Sequence, residues 1–156
     1  EGRKLAALII RKHRLTEMYL VEKMGFSWEN VHEIAEQVEH VQSDAFFDRM
    51  DELLGHPKFD PHGSPIPNKQ GEVIHQDLIK LSDCKAGQKV VLSALVNSEP
   101  SLLNFLNGKS LTLGMQLQII SKESFDGNMT LDYPSHQNEV FSKLVCESLL
   151  VDPVNA

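Results

Sequence analysis

The chain has 156 residues, 41% hydrophobic and 24% charged, which suits one medium or two small globular domains and excludes an intrinsically disordered chain. Its net charge of −7 argues against direct contact with nucleic-acid phosphates, which calls for clustered Lys and Arg. No run approaches the ~20 apolar residues of a membrane helix and no basic-then-apolar leader opens the sequence, so a cytoplasmic protein is expected.

Residues 5–24 are rich in Leu, Ala, Ile, Met and Glu and predict one long helix stopped at Gly25. Ser27 is expected to cap a second helix, which carries Val31, Ile34, Ala35, Val38 and Val41 at helical spacing. Ser43 is expected to cap a third, ending near Gly55. Between His56 and Gly71, four prolines and two glycines forbid a helix and predict a linker or an ordered irregular loop. After about Gln76 the period shortens: "QKVVLSALV", "MQLQIISKE" and "NMTLDYP" read as short strands, with a turn at Asp126-Gly127-Asn128. "EPSLLNFLNGKS" reads as a short helix ending at Gly108, and "EVFSKLVCESLLV" as a helical turn followed by a last strand. About five short strands predict a small closed or nearly closed barrel over 76–156, after a helical domain over 1–70. Cys84 and Cys146, far apart and outside any CxxC, read as reduced core residues.

The chemistry concentrates in the helices. In "VHEIAEQVEH", His32, Glu36, Glu39 and His40 fall within roughly a 100° arc of one helix, opposite the apolar set. Charged residues opposite a core face are ordinary, so this face alone reads equally well as solvated surface. On the first helix His13 and Glu17, spaced i,i+4, interrupt an apolar line through Ala6, Ile9, Ile10 and Leu20. Burying an unpaired imidazole and carboxylate costs several kcal/mol, which calls for a hydrogen-bonded pair, a metal or a solvent-facing gap. Two consecutive helices each offering His and Glu favour shared metal ligation. The zincin motif fails, because His32-Glu33 is followed at position 36 by Glu; the Glu-x-x-His of di-iron bundles is not met at Glu36. A mixed imidazole and carboxylate set without thiolate suits Mn²⁺ or Fe²⁺.

"RKHRLTE" followed by "VHEIAEQVEHVQSD" and "HPKFDPHGSPIP" resembles the dimerisation domain of the diphtheria toxin repressor family, iron- and manganese-dependent bacterial transcriptional repressors. The likeness runs from residue 1 to about 70; the remainder is similar, more weakly, to the SH3-like barrel that follows in many members. The resemblance implies an α+β fold, a helical metal-binding and dimerisation domain and then an SH3-like β-barrel. It implies one metal site at Glu36, Glu39 and His40, completed by a ligand from a DNA-binding domain. It implies a second at His13 and Glu17, with His32 in iron-type members, or with the loop positions Asp60 and His62 in some manganese-type members. Glu36, where iron-type members commonly carry Cys, leans toward manganese. Family members open with a winged helix-turn-helix, which nothing here resembles, and the sequence opens at Glu1 without Met. The expectation is therefore a piece of a longer protein: the sensing and dimerisation portion of a homodimeric repressor that binds operator DNA through its missing domain. The rival readings are a metal-independent dimeric adaptor and a hydrolytic metal centre at His32, Glu36 and His40, for which no nucleophile or oxyanion motif is visible.

Overall fold

Helix α1 runs from Gly2 to Glu22 in the computed structural model, which describes residues 1–154. The helix stops where expected: Gly25 takes a positive φ of 73°, and the Phe26 N–H reaches back to the Leu20 carbonyl, a reversal in which glycine meets no Cβ penalty. A short 3₁₀ turn, Trp28–Asn30, precedes α2 (His32–Val38). Helix α3 (Asp44–Leu53) begins at Ser43, whose hydroxyl accepts from the Phe46 N–H, the cap read from sequence. The helix expected after Ser27 is thus divided, and its regular part ends at Val38, before Glu39 and His40.

The chain separates into two compact units, Glu1–His75 and Gln76 onward. In the first, Leu15 of α1 packs with Phe47 and Met50 of α3 and with Ile66 from the following loop, flanked by Tyr19, Val38 and Leu54. Position along α1 decides burial. Arg11, Leu15, Thr16, Glu17 and Leu20 are buried, whereas Leu5, Ile9 and Ile10 stay exposed, as do Phe46 and Leu53 on α3. The apolar line expected to run through Ile9 and Ile10 therefore leaves the core of its own unit before reaching His13.

Loop 56–71 is ordered. Arg14 Nη1 donates to the Pro65 carbonyl at 2.6 Å, and Arg11 Nη1 to the Pro67 carbonyl at 3.0 Å. Phe59 bridges Pro65 in antiparallel fashion.

Among the described residues the second unit holds six antiparallel strands: β1 (Ile79–Lys80), β2 (Lys89–Leu95), β3 (Gln116–Lys122), β4 (Met129–Tyr133), β5 (His136–Phe141) and β6 (Leu149–Pro153). They pair in the order β1-β6-β2-β3-β4-β5. Val90, Leu92, Leu117, Ile119, Met129, Leu131, Leu149 and Val151 alternate onto one fully buried face. Helices α4 (Pro100–Gly108) and α5 (Lys143–Ser148) bury Leu103, Leu106 and Cys146. Register shifts at Leu92/Ala94, Ile119/Ser121 and Leu131/Tyr133 bend the sheet. The architecture is α+β, a helical unit followed by a small β unit. Among the described residues, no helix is long and apolar enough to cross a membrane.

Candidate metal centre

His13 and Glu17 leave α1 one turn apart on the same side. Glu17 is the centre of what gathers there. Its side chain is 3% exposed; Oε1 lies 3.4 Å from His13 Nε2, and Oε2 lies 3.9 Å from both His32 Nδ1 and His62 Nδ1. Two overlapping triads result, His13 with Glu17 and His32, and Glu17 with Asp60 and His62, each with its donor atoms within 4.8 Å of one another. Glu17 Oε2 is buried and finds no hydrogen-bond donor. Leaving a buried carboxylate oxygen unsatisfied costs at least ~1–3 kcal/mol. Donor atoms that share one ion at ~2.0–2.3 Å stand roughly 3–4.5 Å apart, and the spacing around Oε2 falls in that range.

Each of the three imidazoles turns one ring nitrogen toward Glu17. The Trp28 carbonyl, which can only accept, lies 2.8 Å from His62 Nε2. The ring hydrogen therefore sits on Nε2 and leaves Nδ1 free to face the carboxylate. The indole of Trp28 also stacks on the His62 ring at 6.0 Å. His13 Nδ1 donates to Glu39 Oε2 at 2.8 Å, which turns Nε2 toward Glu17. Burial alone would lower the His13 pKa, but the carboxylates of Glu17 and Glu39 outweigh it and hold the imidazole above its ordinary 6.5.

Asp60 comes from the loop. Its Oδ1 accepts from the backbone N–H groups of His62 and Ser64, both at 2.9 Å, while Oδ2 lies 4.0 Å from Arg14 Nε. Burial raises the Asp60 pKa; the neighbouring Glu17 charge adds to the rise, and the Ser64 and His62 contacts oppose it. Two carboxylates buried side by side form a site whose charge a cation would relieve.

Of the eight residues singled out in the sequence, five converge here: His13, Glu17, His32, Asp60 and His62. Glu36 is exposed on α2, and His40, 71% exposed, faces Glu39 Oε1 at 3.6 Å. Glu39 reaches the centre only through His13. Sequence reasoning missed Arg11 and Arg14 as anchors of the loop, and it missed the Trp28 carbonyl. A backbone acceptor leaves no trace in residue identities; the arginines gave a faint one, lying at i−2 and i+1 of His13 on a helix otherwise read for its apolar stripe.

Residues 1–68 match the family model described as iron dependent repressor, metal binding and dimerisation domain. The iron-dependent repressor IdeR of Mycobacterium tuberculosis is 28% identical over 166 aligned positions, which take in 99% of this chain and 71% of IdeR. Among solved structures, a manganese-dependent transcriptional repressor in complex with manganese superposes with a TM-score of 0.92 at 29% identity, covering 98% of this chain and 73% of that one. The repressor ScaR with bound Zn²⁺ gives 0.83 at 32% identity, covering 98% and 75%. The shared helical unit, the β unit that follows it and the matched residues lead to one conclusion: the chain belongs to the diphtheria toxin repressor family of iron- and manganese-dependent transcriptional repressors.

Proposed function

We propose that this chain is the metal-sensing and dimerisation portion of a homodimeric, cytoplasmic repressor activated by Mn²⁺ or Fe²⁺, with the Glu17-centred cluster as the sensor. The observation that carries this reading is Glu17 Oε2, buried without a donor between His32 Nδ1 and His62 Nδ1. The family relationship supplies the biological setting, since the relatives named above are metal-dependent repressors. A donor set of three imidazoles and two carboxylates without thiolate suits Mn²⁺ or Fe²⁺ better than Cu⁺ or a structural Zn²⁺ site.

When bound, the cation would supply the charge that two buried carboxylates lack. The protein does the rest. His13 and Glu17 present donors from a rigid helix, and His32 presents one from the first turn of α2. Asp60 and His62 come from a loop that Arg11 and Arg14 hold against α1. The three segments would be held together only in the arrangement that ligates well, so an arrangement competent for operator DNA that ligates better is favoured by metal. Operator recognition is assigned to the winged helix-turn-helix of a longer protein, outside the 156 residues of this sequence. The exposed Leu5, Ile9, Ile10, Phe46 and Leu53 are the proposed contact with a second copy. The role is binding rather than catalysis.

Mn²⁺ titration of the metal-stripped chain tests the reading, with free Mn²⁺ followed by electron paramagnetic resonance and Trp28 by fluorescence. Trp28 is the only tryptophan and stacks on His62, so loading of the cluster is expected to quench it. Tight binding with quenching, both lost in Glu17→Ala, is the expected result. Dimers that form identically with and without Mn²⁺, together with no binding, would leave the metal-independent adaptor instead.

A further inference from the structure

Loop 56–71 delivers Asp60 and His62 on a small hairpin. The Ile66 N–H donates to the Lys58 carbonyl and the Asp60 N–H to the Ser64 carbonyl, both at 2.8 Å, and Gly63, at φ 85°, turns the chain between them. The return side is held to the helices. Ile66 is 6% exposed among Leu15, Phe47 and Met50, while Arg14 and Arg11 donate to the Pro65 and Pro67 carbonyls. The outgoing side starts at His56, which is bonded twice to Asp51 in the last turn of α3. Its N–H donates to the Asp51 carbonyl at 2.9 Å, and its Nδ1 to Asp51 Oδ2 at 2.8 Å. The same Oδ2 faces Arg11 Nη2 at 3.5 Å. One carboxylate oxygen therefore joins the start of the hairpin to the guanidinium that holds its end. The Arg11 and Asp51 side chains are 10% and 14% exposed, so solvent screens their attraction only weakly.

The base of a hairpin decides where its tip lies. Four residues separate base from tip, up to roughly 13 Å at ~3.3 Å per residue. A tilt of about 5° at the base then moves the tip by on the order of 1 Å, twice the ~0.5 Å that a binding constellation tolerates. We propose that Asp51 is a positioning residue for the cation site: with Arg11 and His56 it clasps the base of the hairpin. The Glu17–Asp60–His62 triad depends on this clasp, and the His13–Glu17–His32 triad, whose donors come from α1 and α2, does not. The assignment rests on reading the Glu17 cluster as a cation site. Asp51 belongs to neither triad and acts through the loop.

Three variants test the clasp. His56→Asn removes an imidazole that is 72% exposed and supplies a residue suited to the φ of 58°. Asp51→Asn keeps the shape of the anchor without its charge. Glu52→Gln, the next residue of α3 and paired with Arg49 at the surface, is the control. In the metal-free chain Trp28 emission reports the hairpin, because the indole stacks on His62; it is expected to shift in the two clasp variants and to stay unchanged in the control. Mn²⁺ titration is expected to show about 10-fold weaker binding in the clasp variants, the lower end of what is lost when a partner that orients ligands is removed. With Cd²⁺ and ¹⁵N-labelled histidine, the His62 signal is expected to respond only at higher Cd²⁺, while His13 and His32 respond as in the unaltered chain. Equal weakening at all three histidines would mean that the substitutions loosen the whole unit, and would overturn the proposal. Unchanged affinity with unchanged Trp28 emission would overturn it too. An unaltered chain that binds neither metal would refute the reading of the cluster itself, and the clasp with it, an outcome told apart by the unaltered chain alone.

Discussion

The two units bury different things. Among the described residues, the buried polar and charged side chains, Arg11, Thr16, Glu17, Asp60 and His62, all belong to the helical unit. Among the described residues the β unit buries eighteen apolar residues, if its cysteines and the hydrogen-bonded Tyr133 are included, and the helical unit seven. The β unit thus has a core that closes by itself. The helical unit has surrendered much of its interior to groups that want a counter-charge, and it leaves Leu5, Ile9, Ile10, Phe46 and Leu53 uncovered. Its stability should therefore be conditional, on a cation and on a second copy, whereas that of the β unit should not.

The largest effect expected from probing this contrast is in the β unit. Leu117→Ala, at a fully buried position of β3, should cost ~2–5 kcal/mol. It should lower the β unit's denaturation midpoint and leave Mn²⁺ affinity unchanged; a change in affinity would mean that the two units are not energetically separate. Next is the cation itself. At about 100 times its Kd, Mn²⁺ should stabilise the helical unit by about 2.7 kcal/mol and the β unit not at all. Glu17→Gln should abolish that increment, and in the metal-free chain it should also remove the support that the Glu17 carboxylate gives a protonated His13. Calorimetry with and without Mn²⁺ reads both.

Acidity should sharpen the contrast further. The folded pKa of His13 is raised above 6.5 by Glu17 and Glu39 against the opposing effect of burial. Its contribution to the metal-free fold is therefore complete below about pH 6.5 and lost as pH rises through the raised value. On the proposed reading protons and cation compete for His13, so Mn²⁺ affinity should run the other way and fall as pH drops through that same value. Melting curves between about pH 5.5 and 8 should show the two trends crossing in the helical unit only. The smallest effect is Ser43→Ala, which removes the α3 cap and should cost ~1 kcal/mol, with Mn²⁺ affinity unaltered.

How far the sequence anticipated this molecule depends on where the information sits. Ser43 and Gly25 marked helix ends because a hydroxyl acceptor and a positive φ are local demands, met by single residues. The strand β5 escaped because "HQNEVF" carries too little apolar alternation to signal a sheet, its pairing with β4 being a matter of neighbours. Six strands stand where about five were expected, and β1 is only two residues long. At the centre, His13 and Glu17 announced themselves by their spacing on one helix. Asp60 and His62 lie more than forty positions away, and only the family resemblance pointed to them. The helical arc drawn through His32, Glu36, Glu39 and His40 assumed that α2 continues to His40. Its regular part ends at Val38; Glu39, which keeps helical angles and donates its N–H to the Ala35 carbonyl, still reaches His13, whereas Glu36 and His40 stay exposed.

The ligand geometry has a topological side. Glu17 and His62 are separated by about 45 residues of chain that hold α2, α3 and the start of the loop. Ligation at both ends would close that stretch into a ring, a reversible staple with the reach of a disulfide; by chain entropy a permanent bond of that span is worth roughly 4 kcal/mol. A repressor built this way would carry in metal concentration what secreted domains carry in oxidised cysteine: a cross-link that the cell can set and remove without breaking a covalent bond.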